Sequence, residues 1–553
     1  MMPRGVRALR WARTWRPAVS VDMLALLAAA FFSLACNLAF WRSYAEAAGG
    51  IGSSVTMTVS LFLAIFGVNV LLMSVLLGRR TAKVVLTGLL FVTAFAVYYM
   101  HVYGVYLDPD MVRNVIHTDS KESRELLTPG LVPWLLGYAV LPSVLLWRLR
   151  LRPKPWRKGL LHRGALAMGG LVLTVAALAV GFQPIAALMR NHRDLRHLIT
   201  PGNYIVSVAR VVQDVVKESP TRRLVGADAR SRPRGARKPR LLVIVVGETV
   251  RAQNWGLNGY ARNTTPQLAR RGVINFSDVS ACGSSTEVSL PCMFSDIGRA
   301  NYDRDTIRRS DSLLHVLDRA GIATAWLDNQ AGCKGVCAGL PFTSLADAKD
   351  PQLCNAERCL DQILVDRLPA TLRTGVDQVI VLHQLGNHGP RYFARYPSRF
   401  RAFTPTCDTG QLGDCTRQQI VNSYDNAILY TDHVLATLVD RLERDLTRDS
   451  AMIYVSDHGE SLGEGNIYLH GMPYPIAPPT QLRVPMTVWL SPGLARSRGL
   501  DVQCLRARAS KAVSHDNLFS SVLGLLDIQT AARDTSLDLF GRCSAPQGRP
   551  SGA

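Results

Sequence analysis

The chain has 553 residues, 48% of them hydrophobic and 19% charged, with a mean hydropathy of +0.10. That is too apolar for a soluble enzyme of this length, so part of the chain is expected in a membrane. The net charge is +21 and the pI about 9.8. Many arginines flank apolar segments, which favours a membrane partner; no RNA-binding signature or zinc-finger spacing supports nucleic acid.

The N-terminus carries Arg4, Arg7, Arg10, Arg13 and Arg16, and an apolar run, 21–40, follows. The run is long and ends in no A-x-A site, so it reads as a retained helix rather than a cleaved leader. Further apolar runs are 55–78, 84–103, 131–147 and 165–187. Each is long enough, or nearly so, to cross a hydrocarbon core of roughly 30 Å. The fourth is the shortest and contains Pro133 and Pro142. Five spans put the termini on opposite sides. Basic residues crowd the N-terminus, Arg79 to Lys83, and Arg148 to Arg163. That side is therefore cytoplasmic, and everything after Ala187 is exported.

Between the third and fourth spans lies an exported loop with Asn114, Thr118 and Glu122 spaced four apart. On one helix these share a face. Spacing alone favours a solvated loop helix over a polar patch for a lipid headgroup. Residues 188–240 form a connector. Apolar residues in 204–216 recur at near-helical spacing and suit a membrane surface. The stretch 219–240, rich in Arg, Pro, Gly and Ser, reads as a flexible basic linker.

The remainder alternates β-branched runs with helical stretches. The strand candidates are 241–248, 323–329, 378–386, 452–460 and 484–491; the clearest helices are 311–320 and 422–445. This pattern implies a doubly wound, mostly parallel sheet, whose sites lie at the C-terminal strand ends. Ten of the eleven cysteines lie beyond residue 280. They fall into close pairs, Cys282 with Cys292, Cys333 with Cys337, Cys354 with Cys359, and Cys407 with Cys415, leaving Cys504 and Cys543 as the fifth pair. Such clustering implies disulfides and an oxidising compartment, the same one the charge pattern selects.

The chemistry gathers around CGSSTEVSLPC, Cys282 to Cys292. A small-residue turn runs into a helix, so Thr286 falls at a helix N-terminus, where backbone N–H groups and the dipole favour an anion. Alone, such a turn is more often a simple cap. Glu248, however, ends the first strand, and Asp457-His458 end another, in SDHGE. Two carboxylates, an imidazole and a hydroxyl suit zinc, with the hydroxyl in the reactive position. Lys334, His388 and His470 sit on loops after presumed strands and could bind phosphate or shuttle protons. His101, His117, His162, His192, His197, His383, His433 and His515 read as structural or exposed.

Several strings together resemble the lipid A phosphoethanolamine transferases, the group that includes the mobile colistin-resistance enzymes, within the alkaline phosphatase/sulfatase superfamily. They are VVGETVRAQNWGLNGYARNTTP from Val245, CGSSTEVSLPCMFS from Cys282, DNQAGCKGVC from Asp328, GNHGPRYFARYP from Gly386, NSYDNAILYTD from Asn422 and VSDHGESLGEGNIYLHGMPYPIAP from Val455. The membrane half matches more loosely, through its five spans and NVIHTDSKES from Asn114.

The resemblance implies a five-helix transmembrane domain (1–187, with a periplasmic loop helix near 108–126), an amphipathic and basic linker (188–240) and a periplasmic catalytic domain (241–553). It implies an inner-membrane monomer that moves phosphoethanolamine from phosphatidylethanolamine to lipid A, through a phosphoethanolamine-threonine intermediate on Thr286. Glu248, Thr286, Asp457 and His458 fall on the family's zinc site, which implies one firmly bound zinc and leaves the number of ions in turnover open. Lys334, His388 and His470 fall on substrate-binding and second-metal positions, and Asn114, Thr118 and Glu122 on a headgroup patch. The biological result is resistance to polymyxins. Two positions depart from the family: His117 stands where glutamine is expected, and Glu287 where a small or aromatic residue is common.

The rival readings are transfer to the lipopolysaccharide core, glycerol phosphate transfer, and a periplasmic phosphatase or sulfatase. The sulfatase reading lacks a C/S-x-P-x-R context at the nucleophile. A non-catalytic membrane scaffold would need none of these residues.

Overall fold

The computed structural model describes residues 16–52, 54–118, 120–217, 222–232 and 237–544. Arg4, Arg7, Arg10 and Arg13 lie outside the described residues, as do 218–221 and 233–236 of the basic connector. Two compact units are resolved. One comprises Met1–Val112 and Thr128–Val211; the other comprises Arg113–Leu127 and Val212–Ala553. The exported loop segment 113–127, expected with the spans, thus groups with the second unit, and 188–211 of the connector group with the first.

The first unit holds five helices long and apolar enough to cross a membrane. They are α1 (Val21–Ala48), α2 (Val55–Leu76), α3 (Ala82–Tyr103), and, after the loop helices α4 (Pro109–His117) and α5 (Ser120–Leu126), α6 (Leu131–Arg148) and α7 (Trp156–Val180). Two features differ from the sequence expectation. The fifth span starts at Trp156, just after Pro155, rather than at 165, and stops at Gly181; α8 (Phe182–Asn191) is a separate helix. The apolar run concealed this break, because hydropathy registers composition and not helix ends. The expected loop helix is likewise two helices. The Thr118 hydroxyl turns back to donate to the Asn114 carbonyl (2.7 Å), and α4 ends before it, so Asn114 and Glu122 lie on different helices.

Within α6, residues Leu136–Val140 form a π-helical turn ahead of Pro142. Proline has no N–H and its ring crowds the preceding turn, and a wider turn accommodates both. Helix α2 packs closely on α7 through glycines. A Cβ on Gly67 would lie 2.7 Å from the Gly170 carbonyl oxygen, and one on Gly170 would lie 2.8 Å from that of Gly67. Such small-residue contacts let membrane helices approach each other. The chain continues in α9 (Gly202–Lys217).

The second unit is built on an eight-stranded sheet. Its strands are β1 (Arg240–Gly247), β2 (Ile274–Ser280), β3 (Ala323–Asp328), β4 (Phe342–Ser344), β5 (Gln378–His383), β6 (Asp449–Ser456), β7 (Arg483–Leu490) and β8 (Val513–Ser514), in spatial order β8-β2-β7-β6-β1-β5-β3-β4. All are mutually parallel except β7, which runs antiparallel to β2 and β6. Its sequence, VPMTVWL, is as uniformly apolar as a buried parallel strand, so direction was not legible there. The sequence reading also missed β2, whose residues INFSDVS include polar side chains at 275, 277, 278 and 280. Every residue of β1 and β6 is buried, as expected for strands covered on both faces. Leu242, Ile244 and Val246 of β1 join Ile453 and Val455 of β6, and α11 (Leu313–Arg319) and α13 (Asp516–Leu525), in one core. Burial of this apolar surface is the main driving force for the fold. Between them in sequence lies α12 (Arg417–Arg444), which starts on a capping box of Thr416 with Gln419.

All five expected cysteine pairs are bonded. Cys282 joins Cys292, Cys333 joins Cys337, and Cys354 joins Cys359. Cys407 joins Cys415, and the widest pair, Cys504 with Cys543, is also closed. Cys36 is free and buried.

Candidate active site

Register builds the site. Gly247 of β1 pairs with Ser456 of β6, so the next residues, Glu248 and Asp457, emerge side by side at the C-terminal edge. The chain then turns sharply. Thr249 adopts a left-handed φ of 63°, a strained state for a β-branched residue. Its amide donates to Asp457 Oδ1 (3.2 Å) and its hydroxyl to Glu248 Oε1 (2.5 Å). Gly386 closes over this turn: a Cβ there would lie 2.6 Å from the Glu248 carbonyl oxygen. Asp361 accepts the amides of Leu385 and Gly386, both at 2.8 Å, and so fixes that loop.

Helix α10 (Thr286–Met293) delivers the hydroxyl. Thr286 is its first residue, and Ser285 before it makes no side-chain cap. Thr286 Oγ1 donates to Glu248 Oε2 at 3.0 Å and lies 3.3 Å from His458 Nε2. His458 Nδ1 donates to the Gly459 carbonyl (2.9 Å), which leaves Nε2 facing the carboxylates. His515, which the sequence reading set aside, anchors this arrangement. It is buried; its Nδ1 accepts the Cys282 amide (3.1 Å) and its Nε2 donates to the Ser456 carbonyl (2.9 Å). That pairing defines a neutral tautomer, and burial pushes the imidazole down to about 4.

Ligand atoms of Glu248, Asp457 and His458 lie within 4.8 Å of one another, and all three residues are fully buried. Asp457 Oδ2 has no hydrogen-bond partner among the described residues. That oxygen faces His458 Nε2 at 3.4 Å without hydrogen-bond geometry, so a cation held among the three groups would satisfy it, and the donor set fits a metal ion. The electrostatics agree. Burial, then the charge of Glu248, raises Asp457 to about 6. Burial alone would lower His458, but Asp457 and Glu248 override it and raise it to about 10. Burial would raise Glu248, yet its hydrogen bond and charge interaction with His458 hold it well below the ordinary range. The site demands a positive charge, and a proton or a metal can supply it.

Two further histidines border the site. The His470 ring centroid is 4.4 Å from that of His458 and 5.5 Å from that of His388. His470 Nδ1 donates to Glu460 Oε2 (3.0 Å), and Glu460 also accepts the Tyr392 hydroxyl (3.0 Å). Glu460 is fully buried and was missed as a site residue, although it closes the SDHGE string. His388 Nε2 lies 3.0 Å from Glu122 Oε1 of α5. Burial opposes its charge, but Glu122 overrides this and raises His388 to about 9; His388 in turn holds Glu122 low against its own burial. Lys334 Nζ donates to the His117 carbonyl at 3.4 Å, from a backbone φ of 48°. A second buried pair, His383 Nδ1 with Asp328 Oδ1 (2.7 Å), joins the ends of β5 and β3.

Comparisons with known proteins give this geometry a family. A model described as Sulfatase matches residues 240–528, and one described as Phosphoethanolamine transferase EptA/EptB matches 65–216. Phosphoethanolamine transferase EptA of Escherichia coli (strain K12) is 36% identical over 540 residues, covering 96% of this chain and 98% of that protein. The chain belongs to the EptA/EptB phosphoethanolamine transferase family. Phosphatidylethanolamine transferase Mcr-1 of Escherichia coli, another similar protein, is 36% identical over 531 residues, 93% of this chain and 96% of that one. The integral membrane lipooligosaccharide phosphoethanolamine transferase A (EptA) from Neisseria meningitidis superposes with a TM-score of 0.92 at 36% identity, covering 96% of this chain and all of that one. This member of the EptA/EptB family is an inner-membrane protein whose sulfatase-like catalytic domain is periplasmic.

Proposed function

We propose that this chain transfers phosphoethanolamine from phosphatidylethanolamine to a phosphate of lipid A through a covalent phosphoethanolamine–Thr286 intermediate, with zinc held by Glu248, Thr286, Asp457 and His458. The observation that carries the reading is the Thr286 hydroxyl. It sits 3.0 Å from Glu248 Oε2, at the start of α10, beside a buried carboxylate–imidazole cluster in which Asp457 Oδ2 accepts no hydrogen bond. Two oxygen acids, one imidazole nitrogen and a hydroxyl match the ligand preference of zinc. Bound zinc would supply a Lewis acid that favours the alkoxide form of Thr286 and offsets charge on the phosphoryl oxygens.

The residues of the chain do the rest. Glu248 accepts the hydrogen bond of the Thr286 hydroxyl and is its nearest proton acceptor. Thr286 Oγ forms a bond to the donor phosphorus, and the bond from phosphorus to the diacylglycerol oxygen breaks. That leaving oxygen takes a proton. In this reading His388, kept protonated by Glu122, donates it, with His470 beside it. In the second half, an oxygen of a lipid A phosphate attacks the same phosphorus and the Thr286 oxygen leaves, regaining its proton. Amides of the first turn of α10 and the Lys334 ammonium serve as partners for the phosphoryl oxygens. Asn114, Thr118 and Glu122 serve as partners for the donor headgroup in this reading. The product surface is less anionic and binds cationic peptides such as polymyxins more weakly.

The test is mass spectrometry of lipid A from a Gram-negative host expressing the chain, beside a Thr286→Ala control. One phosphoethanolamine added by the intact chain and none by the control is the expected result. Unmodified lipid A with modified core sugar would overturn the acceptor assignment.

A further inference from the structure

The cytoplasmic side of the membrane unit contains two cationic cavities that the transfer reaction does not use. The larger, about 450 Å³, is lined by Arg16, Arg79, Arg80, Lys83, Arg148 and Arg150, together with Trp147 and Leu149. No acidic side chain lines it among the described residues, and residues 1–15 contain none in their sequence. The second, about 310 Å³, shares Arg79 and adds Arg152, Lys154 and Arg163. Its one acid, Asp22, is already paired with Lys154 at 2.6 Å.

The walls are built rather than loose. Residues Ala18–Val19 pair as a short parallel ladder with Arg150–Leu151, which pins the start of α1 to the segment after α6. Lys83 Nζ donates to the carbonyls of Leu149 (2.7 Å) and Trp147 (3.2 Å), so it braces the cavity floor. The guanidiniums are exposed, so the cavity is an open cationic basin that attracts an anion from outside.

A second observation says which anion. Leu149 lines the larger cationic cavity and also an apolar groove of about 240 Å³, walled by Phe31, Leu86, Leu90, Pro142 and Leu145. The groove, between α1, α3 and α6, therefore adjoins the cationic basin at Leu149. Trp147 and Trp156, one lining each cationic cavity, stand exposed, as indoles do at a membrane interface. A free phosphate would use the basin and leave the groove empty. A phospholipid uses both.

We propose that the cytoplasmic face of this unit binds an anionic phospholipid of the inner leaflet. Its phosphodiester sits among Arg79, Arg80 and Arg150, and an acyl chain lies in the groove below Leu149. This site is separate from the periplasmic transfer site and does not rest on the zinc–threonine reading.

The experiment is native mass spectrometry of the full-length protein in detergent, titrated with dioleoyl phosphatidylglycerol or dioleoyl phosphatidylcholine. The expected result is at least about tenfold tighter retention of the anionic lipid. Arg79→Gln and Arg150→Gln each weaken it about fivefold, as one cation at a lipid surface would. Arg157→Gln removes a cation on the same side that lines neither cavity, and is expected to leave retention unchanged. For unaltered protein, 0.5 M salt is expected to abolish the preference, a readout independent of variant folding. Equal retention of the two lipids overturns the proposal. So does an equal loss at Arg157, which would mean diffuse attraction with no site.

Discussion

His117 Nδ1 of α4 lies 3.1 Å from Glu287 Oε1 of α10. These are the two positions that the resemblance marked as unexpected, and they meet in space. Glu287 follows Thr286 directly, its side chain is 1% exposed, and Arg308 pairs with the same oxygen. His117 is the outer partner, at 48% exposed. The two departures form one contact, which ties the loop helix to the helix of the proposed nucleophile.

The energies of the two partners should differ. Glu287→Ala strands the Arg308 guanidinium and is expected to lower stability by about 3 kcal/mol, the usual consequence of breaking a buried ion pair from one side. His117→Gln should change stability by less than about 1 kcal/mol, because an exposed partner contributes little. Thermal unfolding of the purified protein tests this; losses of similar size in both variants would contradict the assignment of Glu287 as the buried anchor.

The clasp between Glu122 and His388 sets a pH window. His388 is raised from its ordinary value to about 9, so its contribution is complete below about pH 6.5 and disappears as pH rises through 9. Glu122 is lowered, so its contribution is complete above about pH 4.5 and disappears as pH falls through its depressed value. Protection of the α5 amides, measured relative to their intrinsic exchange rates, should therefore be greatest from mildly acidic to neutral pH and fall beyond pH 9. In Glu122→Gln this alkaline fall in protection should vanish; its persistence would mean another group controls α5.

Metal removal should expose the repulsion between Glu248 and Asp457. Asp457→Asn deletes one of two buried carboxylates, so the metal-free variant should melt at or above the temperature of the metal-free parent. The parent should gain several degrees on zinc addition, and the variant little or none. A variant that gains as much as the parent would show that Asp457 does not contact the metal.

Close helix packing in the membrane unit gives a contrast between two glycines. Gly67→Leu forces a side chain into the α7 backbone and should cost about 2 kcal/mol or more. Gly88 on α3 has open space where its Cβ would be, so Gly88→Leu should be nearly neutral. Thermal inactivation in detergent separates the two, and equal sensitivity would argue against the α2–α7 contact.

Much of the site was legible because its residues end strands. Glu248 and Asp457 each follow a continuous apolar run, and parallel pairing puts such ends together. Thr286 was legible from the small-residue turn before it. Residues that act across the chain were not. Nothing near His515 or Asp361 announces that it holds Cys282 or Gly386, since their partners lie far off in sequence. The loop helices misled for a related reason: four-residue spacing from Asn114 to Glu122 fits one helix, whereas α4 stops at His117 and α5 starts at Ser120. The direction of β7 and the true start of α7 were hidden because apolar composition reports burial and says little about orientation or helix ends.

The disulfide connectivity has a consequence for biogenesis. Every bond joins cysteines that are neighbours in cysteine order. The partners of Cys292, Cys337, Cys359 and Cys415 precede them by only 10, 4, 5 and 8 residues. A chain exported from its N-terminal end presents these thiols to the oxidising compartment two at a time, in the order in which they pair. An oxidase acting on the emerging chain would therefore produce the native set directly, with no wrong partner to undo. Only Cys504 must wait, through 39 residues, for Cys543.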